Sequence, residues 1–78
     1  MKLVKILGPG CKRCDALVTM VKDAADKAGI DIEVEKVTDY AEIARAGAVS
    51  TPGLVIDGKL VHAGGLPRPE SVRDWLNA

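Results

Sequence analysis

Leu3 to Val34 read as an apolar strand, an amphipathic helix and a second strand, and no other feature of the chain limits its fold as much. Leu3-Val4-Lys5-Ile6-Leu7 is mostly apolar and short, the signature of a buried strand. Gly8-Pro9-Gly10 stops it. From Cys11 to Ala28 the apolar residues fall at Cys14, Leu17, Val18, Val21, Ala24, Ala25 and Ala28. That is the spacing of one helix face, with Lys12, Asp15, Thr19, Lys22, Asp23, Asp26 and Lys27 mostly opposite. Gly29 suits a left-handed helix end. Ile30, Ile32 and Val34 then alternate with Asp31, Glu33 and Glu35. The alternation predicts a half-exposed strand at a sheet edge, whose charges discourage pairing with another chain. Strand, helix and strand in this order form a βαβ unit with parallel strands and a right-handed crossover.

The rest of the chain completes one layer system. Asp39 with Glu42 three residues on reads as a variant capping box. It opens a short helix that carries Ile43 and Ala44 and ends at Gly47. Ala48 to Pro52 is a loop. Leu54-Val55-Ile56 and Leu60-Val61-His62-Ala63 flank Asp57-Gly58, a strong hairpin signal. Gly64-Gly65-Leu66-Pro67 breaks the sheet. Pro69 suits the first turn of a last helix, Glu70 lies near its positive end, and Val72, Trp75 and Leu76 form its apolar face. The order is β-α-β-α-β-β-α. Its simplest packing is an α/β fold: a four-stranded mixed sheet, a parallel pair beside an antiparallel hairpin, with helices on both faces.

A chain of 78 residues makes one domain, 1–78, near the lower end of what folds without a staple. Phe is absent, with one Trp and one Tyr, so the core must be Val, Ile, Leu and Ala. The net charge of +0 implies no bulk attraction to nucleic acid or membrane, and no basic stripe is interleaved with aromatics. Met1 to Leu7 carries charge inside its apolar run and is neither a signal peptide nor a membrane span. A cytoplasmic protein is expected, and a lasting structural disulfide would be unusual there.

Two closely spaced cysteines in such a compartment read as redox or metal chemistry. Cys11 stands at the mouth of the first helix, facing the unpaired N–H groups of its first turn and the positive end of its dipole. Lys12 and Arg13 add two cations beside the sulfurs. All three favour thiolate, the species that attacks disulfides. Cys14 lies one turn in and is expected to be buried, which leaves Cys11 the better nucleophile. At this spacing the two can also close a disulfide with each other. A structural zinc needs four ligands, whereas the chain has two cysteines and one histidine, so metal or cluster binding would need a dimer sharing its cysteine pairs. Strand residue His62 reads as half-buried or exposed rather than as a ligand. Gly8-x-Gly10 is a turn, because neither a dinucleotide nor a phosphate-loop pattern follows it.

C-x-x-C after a first strand, inside a βαβ unit, followed by Thr51-Pro52 before a hairpin, resembles the thioredoxin superfamily over nearly the whole chain. Ser50 to Lys59 is most similar to the small thioredoxin-like redox-active disulfide proteins of bacteria and archaea. The resemblance implies a thiol–disulfide oxidoreductase that works through Cys11 and Cys14 without an external cofactor. Its partners would be a disulfide-containing protein and a reductase or small-thiol reductant, and a monomer is expected. The resemblance further implies that Pro52 is cis and that the backbone of Thr51 pairs with an extended substrate segment. Gly64-Gly65 is similar to the glycine pair that helps hold glutathione in glutaredoxins, the runner-up within enzymes. The chain also departs from these families. Gly10 stands where thioredoxins carry Trp, and Lys12-Arg13 replaces Gly-Pro or Pro-Tyr between the cysteines. Lys5 occupies the region of the thioredoxins' buried acid, and Leu66-Pro67 replaces the acidic pair of glutaredoxins.

Overall fold

A computed structural model describes residues 1–8, 12–48 and 50–77. The elements follow the expected order: β1 (Lys2–Leu7), α1 (Lys12–Ala28), β2 (Ile32–Val37), α2 (Tyr40–Arg45), β3 (Gly53–Ile56), β4 (Lys59–Ala63) and α3 (Pro69–Asn77). The four strands form one sheet in the order β2-β1-β3-β4. β1 runs parallel to β2, with Lys2 opposite Ile32 and Leu7 opposite Val37. β1–β3 and β3–β4 are antiparallel. The mixed sheet, the parallel pair, the hairpin and the edge position of β2 all match the expectation.

The alternation of side chains along β1 builds two cores. Val4 and Ile6 point to the face covered by α1 and α3, where they meet Cys14, Leu17, Val21, Ala25, Val72 and Leu76. Leu7 points to the other face and packs with Val37, Ile43, Ala48 and Val55 under α2. β3 lies between β1 and β4, and its four residues are all buried. The βαβ crossover puts the long amphipathic helix on one face, and the short second helix packs Ile43 on the other.

Each turn has a local cause. Asp57 and Gly58 have φ of 50° and 83°, the pair of positive values that a tight hairpin with right-handed strand twist needs. The Asp57 carboxylate accepts from Leu3 N at 2.9 Å, and Asp57 N donates to Leu3 O at 2.9 Å, tying the turn to β1. In the hairpin, Leu54 pairs with His62 and Val55 with Leu60, so Val61 is an extra residue on β4. The bulge bends this edge strand.

At α2 the expected capping box is not the arrangement found. Asp39 is the N-cap, but its Oδ1 accepts from Ala41 N at 3.1 Å, the second helical residue rather than the third. Ile43 is buried as expected, whereas Ala44 is exposed and Ala48, beyond the helix, fills the core instead. An Asp39→Ala substitution removes that acceptor and should lower stability by about 1 kcal/mol. The check is the urea midpoint at unchanged m; an unchanged midpoint would mean that α2 is held by Ile43 alone.

Candidate active site

The site assembles where the C-terminal ends of β1, β2 and β4 meet the N-terminal end of β3. Gly8 follows β1, and its N–H donates to Val37 O at the end of β2, at 2.9 Å. Cys14 lies in the first turn of α1 and is 3% exposed, as expected from its place one turn inside the helix. Its sulfur packs directly on the Gly8 backbone: a Cβ on Gly8 would fall on the Cys14 Sγ. The same imagined Cβ would lie 3.8 Å from the Cβ of Thr51. Gly8 is thus the floor on which the second cysteine and the Thr51 loop converge, a role that a reading of Gly8 as a strand stop does not contain.

The Thr51–Pro52 peptide bond is cis, as the resemblance implied. Pro52 is fully buried and Thr51 half-buried. The loop is held from the far side by Gly64, whose N–H donates to Pro52 O at 3.0 Å. Gly64 has φ of 91°, and a Cβ there would come within 3.0 Å of the Ser50 Cβ, so both its dihedral and its closeness to Ser50 call for glycine. His62 shares a hydrogen bond of 3.1 Å between its Nε2 and Gly65 O, and its ring lies 5.6 Å from that of Trp75. The strand histidine therefore steadies the Gly64-Gly65 loop, with Trp75 of α3 behind it.

Lys12 and Arg13 are exposed at the start of α1, where a partner can meet them. Gly10 and Cys11 lie outside the described residues. Lys5 turns to the α2 side of the sheet, where its Nζ is 4.0 Å from Glu35. Another lysine approaches the site. Lys36 falls in the inward column of β2, after Ile32 and Val34, and its Nζ donates to Asp15 Oδ1 at 2.7 Å. The hydrogen bond and charge of Asp15 raise its pKa above the ordinary lysine value, with a further upward contribution from the charge of Cys14. Among the described residues no group of three or more His, Cys, Asp or Glu is placed to hold a metal ion, and no helix is long and apolar enough to cross a membrane.

Comparison with known sequences agrees with this geometry. A family described as thioredoxin domain matches residues 2–77. The chain belongs to the thioredoxin family. It is 38% identical over 78 residues to a thioredoxin of Methanocaldococcus jannaschii, covering 100% of this chain and 90% of that one. It is 34% identical over 77 residues to a thioredoxin of Methanothermobacter thermautotrophicus, covering 99% of this chain and all of that one. Both relatives are archaeal, in keeping with the likeness to the small thioredoxin-like proteins of bacteria and archaea.

Proposed function

We propose that the protein is a thiol–disulfide oxidoreductase that reduces protein disulfides through Cys11 and Cys14. Family membership supports the general chemistry. The observation that supports the reading is the convergence of Cys14, Gly8 and the Thr51 loop: a buried sulfur lies against the same glycine that Thr51 approaches, and in this reading the Thr51 backbone takes up an extended chain.

In this reading Cys11, which immediately precedes α1 in the sequence, is the nucleophile. The positive end of a 17-residue helix and the cations of Lys12 and Arg13 favour its thiolate. The thiolate attacks one sulfur of a target disulfide. A Cys11–target bond forms, the target S–S bond breaks, and the departing target sulfur keeps the electron pair as a thiolate. Cys14, having given its proton to water, then attacks Cys11. The Cys11–Cys14 bond forms and the second target sulfur leaves as thiolate. Two electrons have passed from the dithiol to the target. The Thr51 backbone holds the target segment by a local strand addition, with Gly10 a further candidate positioning residue from the sequence. No external cofactor takes part, and a reductase or small thiol resets the pair.

The test is insulin reduction in three parallel arms, driven by dithiothreitol, by NADPH with a thioredoxin reductase, and by glutathione with its reductase. Acceleration over the reductant alone is expected in the first arm and in one of the other two, which then identifies the class of reductant. No acceleration in any arm would overturn the proposal.

A further inference from the structure

α2 has only 6 residues and leaves part of its sheet face uncovered. Beside it, across the sheet from Cys14, lies a cavity of about 390 Å³. Its floor is apolar. Leu7, Val37 and Val55 are buried there, and Leu60 of β4 stands half-buried at its side. Four charges line the same cavity: Lys5 and Glu35 from neighbouring strands, Glu42 and Arg45 from α2. Lys5 and Glu35 answer each other at 4.0 Å. Glu42 and Arg45 are exposed, and neither side chain has an ion pair among the described residues, although they stand one helical turn apart.

That charge pattern narrows the occupant. An anion alone would face Glu35 and Glu42, and a cation alone would face Lys5 and Arg45. A neutral apolar molecule would strip water from the charges and give them nothing in return. A second copy of this chain would set one hollow against another and fill neither. What fits is a molecule of both signs with an apolar body. Pockets for small ligands run from about 300 to 1,000 Å³, so this one is at the small end. Side chains three positions apart on a helix have Cβ atoms about 5–6 Å from each other. A free amino acid holds both its charges on one carbon, which is too close to meet two such side chains. A dipeptide separates them by up to about 7 Å when extended.

We infer that this cavity binds an apolar dipeptide, with the ammonium on Glu42, the carboxylate on Arg45 and the side chains on Leu7, Val55 and Leu60. The site goes beyond the proposed function: it lies on the other face of the sheet from Cys14, and no redox step takes part in it. The probe is leucylleucine, titrated into the reduced protein while the backbone amide NMR shifts are followed. Saturable shifts are expected at Lys5, Leu7, Val55 and Leu60. Glu42→Gln and Arg45→Gln should each weaken binding by about two- to fivefold, the range for a partly solvated charge pair. Both side chains are exposed, and an unchanged urea midpoint confirms that each variant is folded. Free leucine, glycylglycine and the uncharged N-acetyl-leucinamide should each bind more weakly than leucylleucine. No saturable shift up to the solubility limit of leucylleucine, or unchanged affinity in both variants, would overturn the inference. Equal binding of leucine would remove the match to two separated charges, equal binding of glycylglycine the part given to the apolar floor, and equal binding of N-acetyl-leucinamide the part given to the charges; any one of these also overturns it.

Discussion

Cys14→Ser is expected to accumulate a covalent adduct with disulfide targets through Cys11, and Cys11→Ser to form far fewer. The asymmetry follows from the two environments. Cys14 is 3% exposed and sits against Gly8, which keeps a protein disulfide from its sulfur, and the proposed order therefore engages Cys11 first. Without Cys14 the adduct can be cleaved only by an external thiol. A neighbouring sulfur held in the same fold acts at an effective concentration far above the millimolar level of such a thiol, and insulin turnover should fall at least about a hundredfold. The measurement is non-reducing electrophoresis of each variant after exposure to a disulfide target, with turnover in parallel. Comparable trapping by both variants would mean that either sulfur can be attacked first, and the assigned order of events would be lost.

The sequence carried the parts of the molecule that depend on period and turn chemistry. Alternation in Ile32, Val34 and their charged neighbours placed β2 at an edge, and Asp57-Gly58 supplied the two positive φ values of the hairpin. The helix face of α1 was legible because Cys14, Leu17, Val21 and Ala25 recur at helical spacing, and all four are buried. The cis bond at Pro52 was not legible from residues; only likeness to a family brought it within reach. What the sequence withheld were contacts between residues distant along the chain. Gly8 and Cys14 are joined by a closeness that no pattern announces, since a glycine at a strand end looks the same whether a sulfur or solvent lies above it. Lys36 did leave a trace, as a charge in a column where the alternation calls for an apolar residue. Asp15, its partner 21 positions earlier, is one polar residue among many on α1. Likewise the hydrogen bond between His62 Nε2 and Gly65 O depends on the path of the loop after β4, which residue type alone does not determine.

Gly8→Ala should damage the protein in a way that separates the site from the scaffold. A methyl group at Gly8 would occupy the space of the Cys14 Sγ, with the Thr51 Cβ at 3.8 Å limiting escape to the side. β1 cannot easily withdraw, because the Gly8 N–H is bonded to Val37 O at 2.9 Å and its neighbour Leu7 is locked in the core under α2. α1 cannot easily lift, because Leu17 and Val21 are fully buried one and two turns further on. Relief must come from displacing the Cys14 side chain or spreading the first turn of α1. Overpacking of this kind costs about 1–3 kcal/mol. The loss of disulfide closure should exceed what that destabilisation explains, since the displaced group is the sulfur proposed to resolve the mixed disulfide. Gly29→Ala provides the contrast. Gly29 has nothing within 4 Å of an added Cβ, but its φ of 68° makes any side chain strained. That substitution should cost about 1–2 kcal/mol through the backbone alone, with insulin turnover per folded molecule unchanged. Urea midpoints paired with single-turnover closure of the Cys11–Cys14 disulfide distinguish the two. Closure at the original rate in Gly8→Ala would show that the sulfur does not depend on a bare backbone beneath it, and the geometry proposed for the second step would have to be abandoned.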